Sequence, residues 1–198
     1  MSLRCHTSDR RKVLIYRRLR EKRWGAMIET LILCTANSAR SILAEAILGR
    51  LGEGRFRAHS AGSHPRGTVN PRALELLANL GYQTEQYASK SWDEFAGPDA
   101  PKLNLVITVC DAAAGEACPL WRDAPVVAHW GIPDPAGAPG GIEAERAAFK
   151  LAYDRLHARF AALVALPVET LSTHELKEHL KRIGASDGAT ELTRQSQL

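Results

Sequence analysis

The sequence predicts an α/β fold, a three-layer sandwich in which a four-stranded parallel sheet carries helices on both faces. Three observations lead there. Short apolar runs rich in β-formers alternate with helix-length amphipathic stretches, the pattern of strands joined by helical crossovers. Three of the runs are followed closely by a residue with chemical potential, namely Cys34, Cys110 and Asp134. In parallel sheets of this kind ligands bind beyond the carboxyl ends of the strands, so the three fall on one rim. The third observation is size: 198 residues, 45% of them hydrophobic, supply enough core for one self-standing domain.

Residues 1–26 read as a basic N-terminal extension. They hold nine Lys or Arg against two acids. The remainder of the chain is therefore mildly acidic although the whole nets +4, and the basic pI gives little support to a nucleic-acid partner. The extension has no long apolar segment, so neither a secretory signal nor a membrane span is expected, and the expected location is the cytoplasm. Met27 is a candidate native start; a helix over 12–24 or a basic tether is the competing reading. Cys5 lies in this stretch and is given no role.

From Met27 to Gly184 the elements follow in order. Glu29 to Leu33 is the first strand, and Ser41 to Leu51 is the first helix, ended by Gly52 and Gly54. Phe56 to His59 makes a short second strand before a loop from Ser60 to Gly67. Asn70 caps and Pro71 opens a helix that stops at Gly81. Ser91 and Glu94 have capping-box spacing for a short helix before Gly97-Pro98. The most β-like run, 103–109, ends on Cys110, and a loop follows to Asp123. Val126 to His129 is the fourth strand. Three prolines and four glycines make 131–141 a loop. Phe149, Tyr153, Leu156, Phe160 and Leu163 recur at three or four residues and mark one face of a long helix over 143–166. Ser172 and Glu175 open a final helix to Ile183, and 185–198 reads as a loose polar tail.

The chemistry centres on Cys34-Thr35-Ala36-Asn37-Ser38-Ala39-Arg40-Ser41. Five residues separate the cysteine from the arginine. If the loop curls, its backbone N–H groups, the Arg40 fork and the positive end of the following helix converge on a volume that fits a tetrahedral oxyanion. The same positive field is expected to lower the Cys34 pKa and supply a thiolate nucleophile. Four cysteines in a reducing compartment point to chemistry rather than a disulfide scaffold. Composition and spacing alone leave hydrolysis and reduction equally open. The histidines lack ligand spacing and no metal site is expected; His129 is read as ordering the last loop, and Arg66 and Arg72 as solvated.

Met27 to Ile183 resembles the arsenate reductases built on the low-molecular-weight tyrosine phosphatase fold. The motifs are Cys34 to Ser41, Ser60-Ala61-Gly62, Val69 to Ala73, Ser89-Lys90-Ser91, Val109-Cys110-Asp111 with Cys118-Pro119, and His129-Trp130-Gly131 with Asp134-Pro135. The resemblance implies that arsenate sits on Thr35, Ala36, Asn37, Ser38, Ala39, Arg40 and Ser41, that Cys34 attacks arsenic, and that Asp134 is the general acid. It also implies that Ser41 helps keep Cys34 ionised. Cys110 then attacks Cys34 and Cys118 displaces it, exposing a disulfide to thioredoxin; the segment between them is one residue longer than that class carries. Glutathione with glutaredoxin is the other reductant implied. Asn37, Glu45 and Ser60 match positions that shape the loop or hold a potassium ion in some relatives. No tightly bound cofactor is implied, and a monomer is expected. The alternative activity is phosphomonoester hydrolysis through a phosphocysteine. Against it, Ala136-Gly137-Ala138 follows Asp134-Pro135 where the phosphatases carry aromatic residues. A non-catalytic oxyanion-binding module is the third possibility, and it would not need a thiolate.

Overall fold

In a computed structural model the described residues are 27–116, 121 and 125–195; the extension over 1–26 and Cys118 lie outside them. Four strands, β1 (Ile28–Cys34), β2 (Phe56–Gly62), β3 (Leu105–Thr108) and β4 (Val126–His129), form one parallel sheet in the order β2-β1-β3-β4. The helices are α1 (Arg40–Leu51), α2 (Pro71–Asn79), α3 (Asp111–Gly115), α4 (Gly141–Ala165), α5 (Thr173–Gly184) and α6 (Glu191–Gln195), with a 3-10 turn at Trp92–Phe95.

Period-two alternation splits the sheet into two unequal cores. Ile28, Ile32 and Cys34 of β1, with Phe56, Leu105, Ile107 and Val126, face the large core built with α1, α4 and α5. Leu31, Leu33, Ala61 and Val106 face the other way, under Phe95 of the 3-10 turn, Trp92 and Trp121. Both central strands are buried on both faces, which explains why they read as unbroken apolar runs.

Two of the expected caps form; at Ser91 the hydroxyl accepts from Asp93 N–H and opens a 3-10 turn instead of the capping box with Glu94. The Asn70 side chain accepts from Arg72 N–H ahead of Pro71, and Ser172 and Glu175 complete a reciprocal capping box. Three boundaries differ from expectation. β2 runs on to Gly62 because it stays in register with β1 as far as the Cys34–Gly62 pair. The run 103–109 contributes only Leu105–Thr108 to the ladder, and the loop after Cys110 opens with the short helix α3.

A further correction concerns the tail read as loose. Residues 185–195 turn back and form α6, with Ala189 and Thr193 buried. Arg159 is the reason. It is almost fully buried on α4 and donates from Nη2 to the carbonyls of Gly184, Ser186 and Asp187, satisfying the end of α5 and the turn beyond it. Burial pushes its pKa down to about 10, with Arg155 adding to that and Asp187 opposing it.

Candidate active site

The loop that follows β1 is shaped by where its carbonyls go. Thr35 C=O accepts from His64 N–H, Ala36 C=O from Arg66 N–H and the Ser89 hydroxyl, and Ser38 C=O from Asn70 N–H. A trans peptide points its N–H opposite its C=O, so outward carbonyls turn the loop's donors inward. Asn37 N–H donates to Cys34 Sγ at 3.2 Å. The turn requires Asn37 in the left-handed region at φ 41°, and its amide is fixed by donation to Ser41 Oγ (2.9 Å) and Ser60 Oγ (2.8 Å) and by acceptance from Lys90 N–H (2.7 Å). Gly62 lies directly beneath. A Cβ there would collide with the Thr35 carbonyl and come within 2.9 Å of the Asn37 nitrogen.

Helix α1 begins at Arg40 with no side-chain cap and no acid in its first turn. Its first N–H groups and the dipole are thereby left to the loop, an arrangement suited to an oxyanion. Arg40 spends its fork in two directions, Nη1 on the Ile132 carbonyl (3.1 Å) and Nη2 on Asp134 Oδ2 (2.7 Å). Asp134 Oδ1 in turn accepts from Ala136 N–H. The expected convergence of loop, arginine and acid on one rim is present, and Arg40 couples the first two to the third.

Cys34 is buried, with Ser41 Oγ 3.0 Å from its sulfur. The expectation of a lowered thiol pKa requires correction. Burial pushes the Cys34 thiol up; the Ser41 hydrogen bonds and, last, Arg40 pull it down, while Cys110 adds to the rise. Arg40 is turned toward Asp134 and contributes least, so removal from water dominates.

Cys110 is buried at the end of β3, and its sulfur lies 3.6 Å from Thr35 Oγ1 of the loop. The register explains this. Leu33 pairs with Thr108 across adjacent strands, so Cys110 emerges one residue past the position opposite Cys34. Cys118 falls outside the described residues.

Asn37, Ser60 and Glu45 do come together, hydrogen-bonded to one another. Glu45 Oε2 accepts from the Ser60 hydroxyl at 2.6 Å, and Lys90 Nζ stands 3.5 Å from Oε1 as the fixed cation. Burial raises the Glu45 pKa against the opposing pull of Lys90. No cluster of three or more metal-ligating His, Cys, Asp or Glu exists among the described residues. His129, read as ordering the last loop, instead bridges Thr108 Oγ1 (2.8 Å) and Asp111 Oδ1 (3.1 Å) around the end of β3; burial lowers its pKa more than Asp111 raises it. Lys90 and Asp111 were given no role by the sequence. Their partners lie 45 and 18 residues away, and no local spacing marks them.

Residues 29–181 match the family described as low molecular weight phosphotyrosine protein phosphatase. An arsenate reductase of Halalkalibacterium halodurans is 33% identical over 127 residues, covering 64% of this chain and 88% of that protein. One from Staphylococcus aureus strain Newman is 34% identical over 107 residues, 54% of this chain and 78% of the relative. Among solved structures, an arsenate reductase from Archaeoglobus fulgidus superposes with a TM-score of 0.55 at 28% identity, over 69% of this chain and 99% of the other.

Proposed function

Since the chain belongs to the low-molecular-weight phosphotyrosine protein phosphatase family, we propose that within it this protein is an arsenate reductase, a thiol-dependent oxidoreductase rather than a hydrolase. The observation that carries the reading is the second buried thiol: Cys110 sits against the oxyanion loop, its sulfur hydrogen-bonded to Thr35. Hydrolysis needs no such group. The relatives named above as arsenate reductases, and the small residues Ala136-Gly137-Ala138 after the Asp-Pro pair, support it further.

Arsenate enters onto the inward N–H groups from Thr35 to Ser41, and Arg40 exchanges Asp134 for two arsenate oxygens. That exchange brings the guanidinium onto the anion and frees the Asp134 carboxyl to protonate the departing oxygen. The Cys34 sulfur attacks arsenic, an S–As bond forms and an As–O bond breaks; the thiol proton passes through the anion's oxygens to the freed Asp134 carboxylate and from it to the departing hydroxyl, which leaves as water. Cys110 then attacks Cys34 Sγ. An S–S bond forms, the S–As bond breaks, and its electron pair stays on arsenic, so arsenic(V) leaves as arsenite while two thiols become a disulfide. Cys118 and an external thiol carrier, thioredoxin or glutaredoxin with glutathione, restore the thiols. No step runs through potassium, because Lys90 already supplies the charge beside Glu45. The domain read over 27–184 is proposed to work together with residues 185–195, which pack onto it, as a monomer in the cytoplasm. No helix among the described residues is long and apolar enough to cross a membrane.

Arsenate-dependent NADPH oxidation, coupled through thioredoxin and its reductase or through glutathione and glutaredoxin, tests the reading. Cys34→Ser is expected to abolish it. Cys110→Ser should still form the arsenate adduct but fail to release arsenite. Absence of turnover with either system, together with rapid hydrolysis of an aryl phosphate, would establish the phosphatase alternative instead.

A further inference from the structure

Asp111 directly follows Cys110 and is the first residue of α3. Its carboxylate is held from outside the helix. Oδ1 accepts from the Thr190 hydroxyl at 2.6 Å as well as facing His129 Nε2. Thr190 in turn is fixed at both ends, since its N–H donates to the Gly131 carbonyl and its hydroxyl meets Thr193 Oγ1 at 3.0 Å. Gly131 lies so close under this group that a Cβ there would collide with the Asp111 carboxylate and the Thr190 hydroxyl and come within 2.8 Å of Thr193 Oγ1. The segment is anchored independently further back. Trp130 Nε1 donates to Leu180 C=O of α5, Gly184 packs on His129 and Trp130, and Arg159 grips the carbonyls between α5 and α6. Thr190 lies beyond the span 29–181 that matches the family, so the contact is made by a part of the chain the family description does not reach.

We infer that the segment over 185–195 is a clasp on the second thiol, with Thr190 as a positioning residue that holds Asp111, and through it Cys110, against the oxyanion loop. This rests on the role of Cys110 proposed above. A carboxylate that accepts a charge-assisted hydrogen bond from a rigidly anchored hydroxyl fixes the first turn of a helix only five residues long, which has little stability of its own. Attack on Cys34 requires the sulfur within a narrow range of distance and angle, and loosening that turn removes the alignment without touching the arsenate site. The clasp therefore acts on the disulfide-forming step and leaves adduct formation alone.

The test compares Thr190→Val, which keeps the shape and removes the hydroxyl, with Thr190→Ser, which keeps the hydroxyl. In single turnover on reduced full-length protein, Thr190→Val should form the Cys34-arsenate adduct at the parent rate. It should form the Cys34–Cys110 disulfide about tenfold more slowly, the loss of one charge-assisted hydrogen bond. Thr190→Ser should restore the disulfide step to within about twofold. Amide hydrogen exchange over 111–115, measured without arsenate, should rise in Thr190→Val and not in Thr190→Ser. Parent-like disulfide formation and exchange in Thr190→Val would overturn the clasp, as would failure of Thr190→Ser to restore the step. If the parent itself forms no Cys34–Cys110 disulfide, the relay reading falls, and unchanged or raised exchange then decides the clasp by itself.

Discussion

Removing the Asp134 carboxylate should tighten the binding of phosphate even as it slows arsenate turnover. The pair Arg40 Nη2 to Asp134 Oδ2 is 2.7 Å long, with the two side chains 16% and 52% exposed. Every oxyanion that recruits Arg40 must displace that contact. For a half-exposed pair the cost is about 1 kcal/mol. Repulsion between the carboxylate and a bound dianion, taken at roughly 5 Å in a water-like medium, adds about 1.7 kcal/mol, which salt near 0.15 M reduces to about 1 kcal/mol. Asp134→Ala relieves both, so about 2 kcal/mol should appear as roughly 30-fold tighter phosphate in calorimetric titration. The gain should shrink as salt is raised. Turnover should fall by about 100-fold or more, because the variant lacks the carboxyl proposed as proton donor. If Asp134→Ala binds phosphate no better than the parent, the competition for Arg40 does not exist and the gating reasoning is wrong.

Three other expectations concern the loop and its supports. Gly62→Ala should weaken phosphate binding at least about tenfold and cost about 1–3 kcal/mol in denaturant unfolding, because the new Cβ displaces Thr35 and Asn37; unchanged affinity would refute the role given to this close approach. The parent should turn over equally in sodium and potassium buffers, whereas Lys90→Ala should slow by roughly tenfold and respond to potassium, since Glu45 then lacks its cation. Burial raises the folded-state pKa of Cys34 above its unfolded value, so the stabilisation is complete below the unfolded pKa, near 8.5, and is lost as pH rises through the folded pKa. Unfolding under reducing conditions should therefore show the parent losing more stability than Cys34→Ser between pH 7 and pH 10.5; parallel losses would contradict it.

Much of the centre of this molecule is legible in the sequence because local rules govern it. The strand β1, the Cys34 to Ser41 loop and the caps at Asn70 and Ser172 each depend on residues within a few positions. What stays hidden depends on partners distant along the chain. Lys90 reaches Glu45, Thr190 reaches Asp111, and Arg159 organises 184–187 from within α4, where it shares the buried stripe with Leu156 and Leu163 but its charge disguises the position. The thiol pKa is hidden for a related reason. Spacing reveals that positive groups surround Cys34, whereas its sign depends on how little water reaches the sulfur and on Arg40 facing Asp134.

The strand order has a further consequence. With β3 hydrogen-bonded to β1, the two sulfurs leave neighbouring rungs of one ladder; had β4 occupied the place beside β1, Cys110 would emerge a full strand spacing further off, about 4.8 Å. On the reading proposed above, the same nucleophile and the same anion cradle can therefore serve two chemistries, and the choice rests on what the adjoining strand delivers at its tip. A lineage could pass between transferring a phosphoryl group and transferring electrons by altering that one address, with the cradle left as it was.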